Sequence, residues 1–142
     1  MIDLDETVEL LRDFLRIDTT NPPGNEEKGA VFIQEVLRRK GLSSNIYQAE
    51  PGRANILSRI KGRLDGKPVI LLSHIDVVPA KREEWTCNPF TAEVKDGYIY
   101  GRGAIDMKSQ VICQLAAFVD YARQGKTPKR DIIFLATCDE EV

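Results

Sequence analysis

Carboxylates and the single histidine of the chain gather at three places in the sequence. His74 and Asp76 follow the apolar run 69–73, Asp106 precedes a long apolar pattern, and the acids at 139–141 follow a second apolar run. Imidazole and carboxylate groups, without thiolates, suit catalytic zinc and similar divalent ions. One extra carboxylate beside such an ion supplies the general base that a metal hydrolase needs. The three clusters therefore indicate a metal-dependent hydrolase.

Each cluster also has an explanation that needs no metal. A lone histidine such as His74 is more often a surface or core imidazole, although Asp76 stands at the spacing that lets a carboxylate orient a ligand's ring. Asp106 stands where a carboxylate often caps the first turn of a helix. Adjacent acids are often a solvated loop, yet at the end of a buried strand they repel one another unless solvent or a cation compensates. The residues alone leave both explanations open.

Hydrophobic periodicity predicts the helices that must position these clusters. A first amphipathic helix, ending before the prolines at 22 and 23, is predicted from Leu4, Val8, Leu11 and Leu15. A second helix is expected to begin after Asn25, a predicted cap, and to end at Gly41. Its predicted buried stripe consists of Val31, Phe32, Val36 and Leu37. A third helix is predicted from Met107 to Gly125.

Five segments have the composition of strands, namely 44–48, 55–60, 69–73, 98–100 and 131–136. The run 69–73 is continuously apolar, which predicts a central strand covered by helices on both faces. Helices alternating with buried strands predict an α/β fold, with helices on both faces of a mostly parallel sheet. In such folds sites form beyond the carboxyl ends of the strands, and all three clusters fall there or beside that place.

Composition and charge argue against several other classes of protein. Lys and Arg number 20 and Asp and Glu 22, which gives a net charge of -2 with interspersed signs, so neither nucleic acid nor a membrane surface is an expected partner. The first residues are acidic where a secretory signal is basic, and no apolar run approaches the ~20 residues that span a bilayer, which predicts a cytoplasmic location. Reduced, packed thiols are expected at Cys87, Cys113 and Cys138.

Three segments, 73–79 (SHIDVVP), 101–108 (GRGAIDMK) and 139–141 (DEE), are highly specific as an ordered set. They resemble the signature segments of the aminoacylase, acetylornithine deacetylase and succinyl-diaminopimelate desuccinylase family of two-zinc metallopeptidases. The segments 18–22, 85–90 and 96–100 are similar to that family as well. The resemblance therefore covers nearly the whole chain.

The resemblance implies two zinc ions bridged by Asp106, with His74 on one ion and Glu141 on the other. It also implies that Asp76 orients His74 and that Glu140 is the general base, which takes a proton from water and gives it to the leaving amine. Cobalt or manganese are alternatives to zinc. The implied substrate is a small molecule, an N-acyl amino acid or a peptide, whose amide bond is hydrolysed. The peptide bond after Asp106 is expected to be cis.

The length of the chain departs from the pattern of that family. Such enzymes run to roughly 400 residues, so residues 1–142 are expected to form the amino-terminal portion of the catalytic domain, without the lid or dimerisation domain and the carboxyl-terminal part. Two ligands of the family, a carboxylate downstream and a late histidine, have no counterpart. The chain alone is therefore expected to bind partial or no metal and to be inactive. An open sheet edge is expected to pair with another copy as a homodimer.

Two other functions compete with the hydrolase. A nucleotide-binding module would use Gly101 and Gly103 between a strand and a helix, but its third glycine is missing and Asp106 would repel a pyrophosphate. The other is a folded fragment or scaffold without catalysis, which the missing ligands favour for the chain by itself. Amide hydrolysis by the 142-residue chain, lost with a chelator, would contradict the second alternative.

Overall fold

A computed structural model describes residues 3–142 of the protein. Its helices are α1 (Leu4–Leu15), α2 (Glu26–Arg39) and α3 (Lys108–Arg123), with a short 3-10 helix at Arg82–Glu84. Its strands are β1 (Ser44–Glu50), β2 (Arg53–Ile60), β3 (Val69–His74), β4 (Glu93–Lys95), β5 (Tyr98–Tyr100) and β6 (Ile132–Thr137). The predicted α/β class is confirmed, and every predicted helix and strand is present. Strand β4 was not predicted from the sequence.

Four strands form the main sheet in the order β1-β2-β6-β3. Strands β3 and β6 run parallel, whereas β1 pairs with β2, and β2 with β6, in antiparallel fashion. The prediction of a mostly parallel sheet is therefore wrong for residues 3–142. The connections explain the difference, because residues 51–52 join β1 to β2 as a tight hairpin, which only antiparallel strands allow. The crossover from β3 to β6 is long and includes α3, as parallel pairing requires.

The three helices cover only one face of the main sheet. Ile56 of β2 and Phe134 of β6 are fully buried in the core formed on that face, where the ring of Phe118 from α3 lies 6.0 Å from that of Phe134. On the opposite face Ile70 and Leu72 of β3 are exposed. Helices on both faces and a central β3 were predicted, and both are wrong for residues 3–142, since β3 lies at a sheet edge.

Helix α2 differs from its prediction at both its cap and its buried stripe. Asn25 occupies the N-cap position, but its side chain makes no capping hydrogen bond. Val31 is exposed, and the buried face instead consists of Ala30, Ile33, Val36 and Leu37. Phe32 is half-buried and stacks on Phe14 of α1, with ring centroids 5.4 Å apart. Apolar residues on adjacent positions of this helix left the exact face ambiguous in the sequence.

A separate hairpin of β4 and β5 precedes α3. Its turn contains Asp96 and Gly97, both with positive φ, as tight hairpins require. The three cysteines are free, and of these Cys113 is exposed although packing was expected. In the part of the chain that the structure describes, no helix has the length and apolar character to cross a membrane.

Candidate metal centre

The parallel pairing of β3 and β6 brings two of the three clusters together. The strands end side by side at the pair His74 and Thr137, so the residues that follow them meet at one edge of the sheet. His74 is the last residue of β3, and Glu140 and Glu141 lie in the loop after β6. Asp106 arrives from a different direction, in the loop before α3.

The three predicted metal ligands lie close together. His74, Asp106 and Glu141 each offer one ligand atom, and these atoms are all within 4.8 Å of one another. His74 Nε2 is 3.2 Å from Asp106 Oδ1 and 3.8 Å from Glu140 Oε2. The His74 side chain is 7% exposed, whereas those of Asp106 and Glu140 are 73% and 61% exposed. A buried imidazole thus faces carboxylates that are reached from solvent.

These donors fit a zinc-like divalent ion in their chemistry, and the pair His74 and Asp106 also fits it in spacing. Tetrahedral zinc with ligands at about 2.0–2.2 Å places its ligand atoms about 3.3–3.6 Å apart. The 3.2 Å between His74 and Asp106 is already near that separation, and the exposed Asp106 carboxylate is free of packing constraints. Imidazole nitrogen and carboxylate oxygen are the usual donors of catalytic zinc.

Asp76 is fully buried beneath this group and contacts both His74 and the acidic loop. His74 Nδ1 lies 3.1 Å from the backbone carbonyl oxygen of Asp76 and 3.6 Å from its carboxylate. Because a carbonyl only accepts, Nδ1 carries a hydrogen, and Nε2 faces the acids. The other carboxylate oxygen of Asp76 accepts the backbone N–H groups of Glu140 and Glu141, each at 2.9 Å. This second contact was not predicted from the sequence.

Asp106 does not cap α3, which removes the capping explanation of its position. Met107 occupies the cap position, and α3 has no side-chain capping hydrogen bond. The Asp106–Met107 peptide bond is cis, as expected, and the Met107 sulfur accepts the backbone N–H of His74 at 3.4 Å. Gly103 has a φ of 83°, and a Cβ there would lie 2.8 Å from Val77. Close packing therefore accounts for this glycine without a bound phosphate.

Comparison with known proteins identifies the family. Residues 70–142, half of the chain, match the sequence model of peptidase family M20/M25/M40. The chain belongs to this family. A succinyl-diaminopimelate desuccinylase of Bradyrhizobium sp. (strain ORS 278) is 39% identical over 142 residues, covering 96% of this M20 chain and 36% of that protein. The chain thus spans about a third of the length of the curated relatives it matches.

Solved structures show the same fold at lower sequence identity. The M20 family metallo-carboxypeptidase Sso-CP2 from Sulfolobus solfataricus superposes with a TM-score of 0.84 at 24% identity, over 97% of this M20 chain and 32% of that one. The Bacillus subtilis YXEP protein, described as a dinuclear metal binding peptidase from the M20 family, gives a TM-score of 0.61 at 20% identity. The match covers 93% of this M20 chain and 34% of that one. The fold of this chain is therefore that of M20 structures.

The pKa values in the M20 site reflect crowded negative charge. The Asp76 side chain is the main cause that raises the pKa of His74 to about 9, against the opposing effect of burial. Burial by itself would raise the pKa of Asp76, but His74 and the backbone N–H of Glu141 lower it to about 2. Burial raises the pKa of Glu141; His74 opposes this rise, and Asp106 adds to it. A divalent cation would relieve this repulsion.

Lys108 and Asn21 are among the buried polar side chains of this M20 chain that were not predicted from the sequence. Lys108 is fully buried, and its ammonium donates to the carbonyl oxygens of Phe14 and Ile17 at 3.2 and 2.6 Å. Asn21 is also fully buried and contacts the carboxylate of Asp76. The segments 18–22 and 101–108, whose resemblance to the family was noted, contain both residues. Hydrophobic periodicity gave no signal for them, because both are polar residues at the ends of loops.

Proposed function

We propose that this M20 chain is the amino-terminal portion of the catalytic domain of a metal-dependent amidohydrolase. The proposed substrates are N-acyl amino acids or small peptides. The observation that carries the proposal is the convergence of His74, Asp106 and Glu141 around one point, with Glu140 beside them. The names of the desuccinylase and metallo-carboxypeptidase relatives support amide hydrolysis as the reaction. A cytoplasmic location belongs to the same proposal.

His74, Asp106 and Glu141 would hold the metal, which we propose is zinc, with cobalt or manganese as substitutes. When bound, the metal would acidify water and polarise the amide carbonyl of the substrate. A pair of ions bridged by Asp106 is part of the proposal and is supported by the dinuclear description of the Bacillus subtilis protein. Among residues 3–142 there is one such group of three ligands. We therefore propose that the further ligands, and a lid or dimerisation domain, belong to a longer protein and that the chain alone is inactive.

Glu140 would act as the general base. Its carboxylate lies 3.8 Å from His74 Nε2, is largely open to solvent, and so reaches both water and a bound substrate. It would take a proton from water and return it to the leaving amine nitrogen. Asp76 supports both Glu140 and His74. Its carboxylate accepts the backbone N–H of Glu140, and its backbone carbonyl lies against Nδ1 of His74, the ring nitrogen that faces away from Asp106.

The adjacent acids offer a matched pair of variants in the protein encoded by the complete reading frame. We expect Glu140→Gln to keep the metal content of the wild type but to lower kcat by about 10²- to 10⁴-fold, since it removes only the proton acceptor. Glu141→Gln should instead lower the metal content, because it replaces a proposed ligand. The metal content would be measured by mass spectrometry. Turnover would be measured with an N-succinyl amino acid, an N-acetyl amino acid and a dipeptide as substrates.

Two outcomes would contradict the proposal at different points. If Glu140→Gln hydrolysed these substrates at the wild-type rate, the general base would lie elsewhere. If the wild-type protein showed no chelator-sensitive hydrolysis of any of the three substrates, the chain would be a scaffold without catalysis.

A further inference from the structure

The turn that carries Glu140 and Glu141 begins with a residue in an unusual backbone conformation. Asp139 has a φ of 66°, in the left-handed region, which few residues other than glycine occupy and which Asp and Asn adopt more readily than most. Its backbone N–H donates to Glu26 Oε1 at 3.3 Å, and its carboxylate pairs with Arg53. The direction in which Glu140 and Glu141 leave β6 therefore depends on what holds Asp139.

Asn21 connects the groups that hold this turn. Its Nδ2 donates to Asp76 Oδ2 and to Asp139 Oδ1, each at 3.0 Å. Its Oδ1 accepts a hydrogen bond from Arg53 Nη2 at 2.9 Å, and its backbone N–H donates to the carbonyl oxygen of Val77 at 2.9 Å. The side chain is fully buried and has a partner for each of these polar atoms.

The chemistry of this position requires an amide. Two carboxylates, those of Asp76 and Asp139, face the same nitrogen, and without a donor between them they would repel each other. A carboxylate in place of the amide would add a third negative group to a buried site, at a high cost in free energy. With the amide present, Asp139 stays beside Asp76, and the next two backbone N–H groups reach Asp76 Oδ2.

We infer that Asn21, anchored by Arg53, is a positioning residue that fixes the acidic turn so that Glu140 and Glu141 face His74 and Asp106. It touches none of the proposed ligands and acts through Asp139 and Asp76. The importance of this orientation for catalysis rests on the proposed function. The hydrogen bonds themselves are formed by the protein alone.

The direct test is Asn21→Asp, a change of nearly equal size that replaces the two donors with acceptors. We expect hydrogen exchange at the Glu140 and Glu141 amides to become at least about tenfold faster, because opening of the turn costs less. Metal affinity should fall by about 10- to 100-fold, the usual effect of disturbing residues behind the ligands. In the protein encoded by the complete reading frame, kcat should fall about 10²-fold with KM nearly unchanged, because the base is misplaced while substrate contacts remain.

Thr19→Val is the matched control. Thr19 is fully buried in the same segment, and its hydroxyl donates to the carbonyl oxygen of Ile75 at 2.8 Å. The variant loses a buried hydrogen bond and some stability, but exchange at the turn, metal affinity and kcat should stay at wild-type values. If Asn21→Asp does not fold, Arg53→Lys replaces it, since one ammonium cannot reproduce the forked contacts to Asn21 and Asp139.

The inference is overturned if the folded Asn21 or Arg53 variant matches Thr19→Val in turn exchange, metal affinity and kcat. Failure of the proposed function looks different. In that case the wild-type protein lacks chelator-sensitive hydrolysis, while exchange at Glu140 and Glu141 still separates Asn21→Asp from Thr19→Val.

Discussion

The charge of His74 is set by the carboxylate behind it. Asp76 raises the pKa of His74 to about 9, so the metal-free ring is protonated at pH 7, although a free histidine with a pKa near 6.5 would be mostly neutral. A metal ligand must be neutral. Metal binding to this residue therefore competes with a proton that the site itself stabilises.

We expect the metal-free chain to show a His74 pKa of about 9 in an NMR pH titration, which needs no assignment because the sequence contains one histidine. Zinc binding at pH 7 should release a proton, detectable as a dependence of the binding enthalpy on the buffer. Because the folded pKa lies above the unfolded value, the stability that protonated His74 contributes is complete below pH ~6.5 and is lost as pH rises through about 9. A pKa near 6.5 in the folded chain, together with buffer-independent binding, would contradict this prediction.

At the residue level the sequence predicted the convergence of the proposed ligands better than the contacts that support them. His74 and Glu141 could be placed together because the ends of two strands meet, and the family resemblance added Asp106. The contact between Asp76 and the acidic turn spans 64 positions of sequence and depends on the exact backbone path after β6. Asn21 lies in a segment that resembles the family, but its type gives no sign of its contacts, since an asparagine beside prolines is equally typical of an ordinary turn.

At the scale of elements, Lys108 joins the start of α3 to the end of α1. Its ammonium donates to the carbonyl oxygens of Phe14, in the last turn of α1, and of Ile17, just after that helix. The ammonium also lies 5.0 Å from the ring centroid of Phe14. Burial lowers the pKa of Lys108 to about 7. The loop that carries Asp106 is thereby tied to a second helix.

We expect Lys108→Met to lower the free energy of unfolding by about 1–3 kcal/mol, because the side chain keeps its length but loses its hydrogen bonds to the carbonyl oxygens of Phe14 and Ile17. Urea unfolding followed by circular dichroism measures the change. Lys126→Met, at an exposed position shortly after α3, is the control and should stay within about 0.5 kcal/mol of the wild type. Equal stability of the two variants would show that Lys108 contributes no net stabilisation.

Element types followed from the sequence, whereas their arrangement followed only in part. Periodicity located α1, α3 and β6 because each buries a regular set of apolar side chains. The antiparallel half of the sheet was missed, although the Pro-Gly turn at 51–52 was visible in the sequence. So short a connection between β1 and β2 requires the two strands to run antiparallel. The exposed face of β3 was missed because an apolar run predicts that both faces of a strand are buried, but does not show which part of a protein covers them.

At the scale of the whole molecule, residues 3–142 leave one face of the main sheet uncovered and add no further strand beside β3. Strand β3 pairs only with β6 within these residues. Its run from Val69 to Leu72 contains no charged residue, whereas charges and prolines normally protect an exposed edge. Helix α3 covers part of this edge, where Gln114 Nε2 donates to the carbonyl oxygen of Leu72 at 3.2 Å.

We expect the 142-residue chain to self-associate through β3, because a second copy can supply both backbone hydrogen bonds and apolar contact to this edge. Leu72→Lys should shift sedimentation toward the monomer at micromolar concentration, since a charge on the edge opposes strand pairing. Leu64→Lys is the matched control, because Leu64 is also 57% exposed but lies in the loop between β2 and β3. A wild-type chain that remains monomeric at all concentrations, or equal effects of the two lysines, would mean that β3 is not the surface of association.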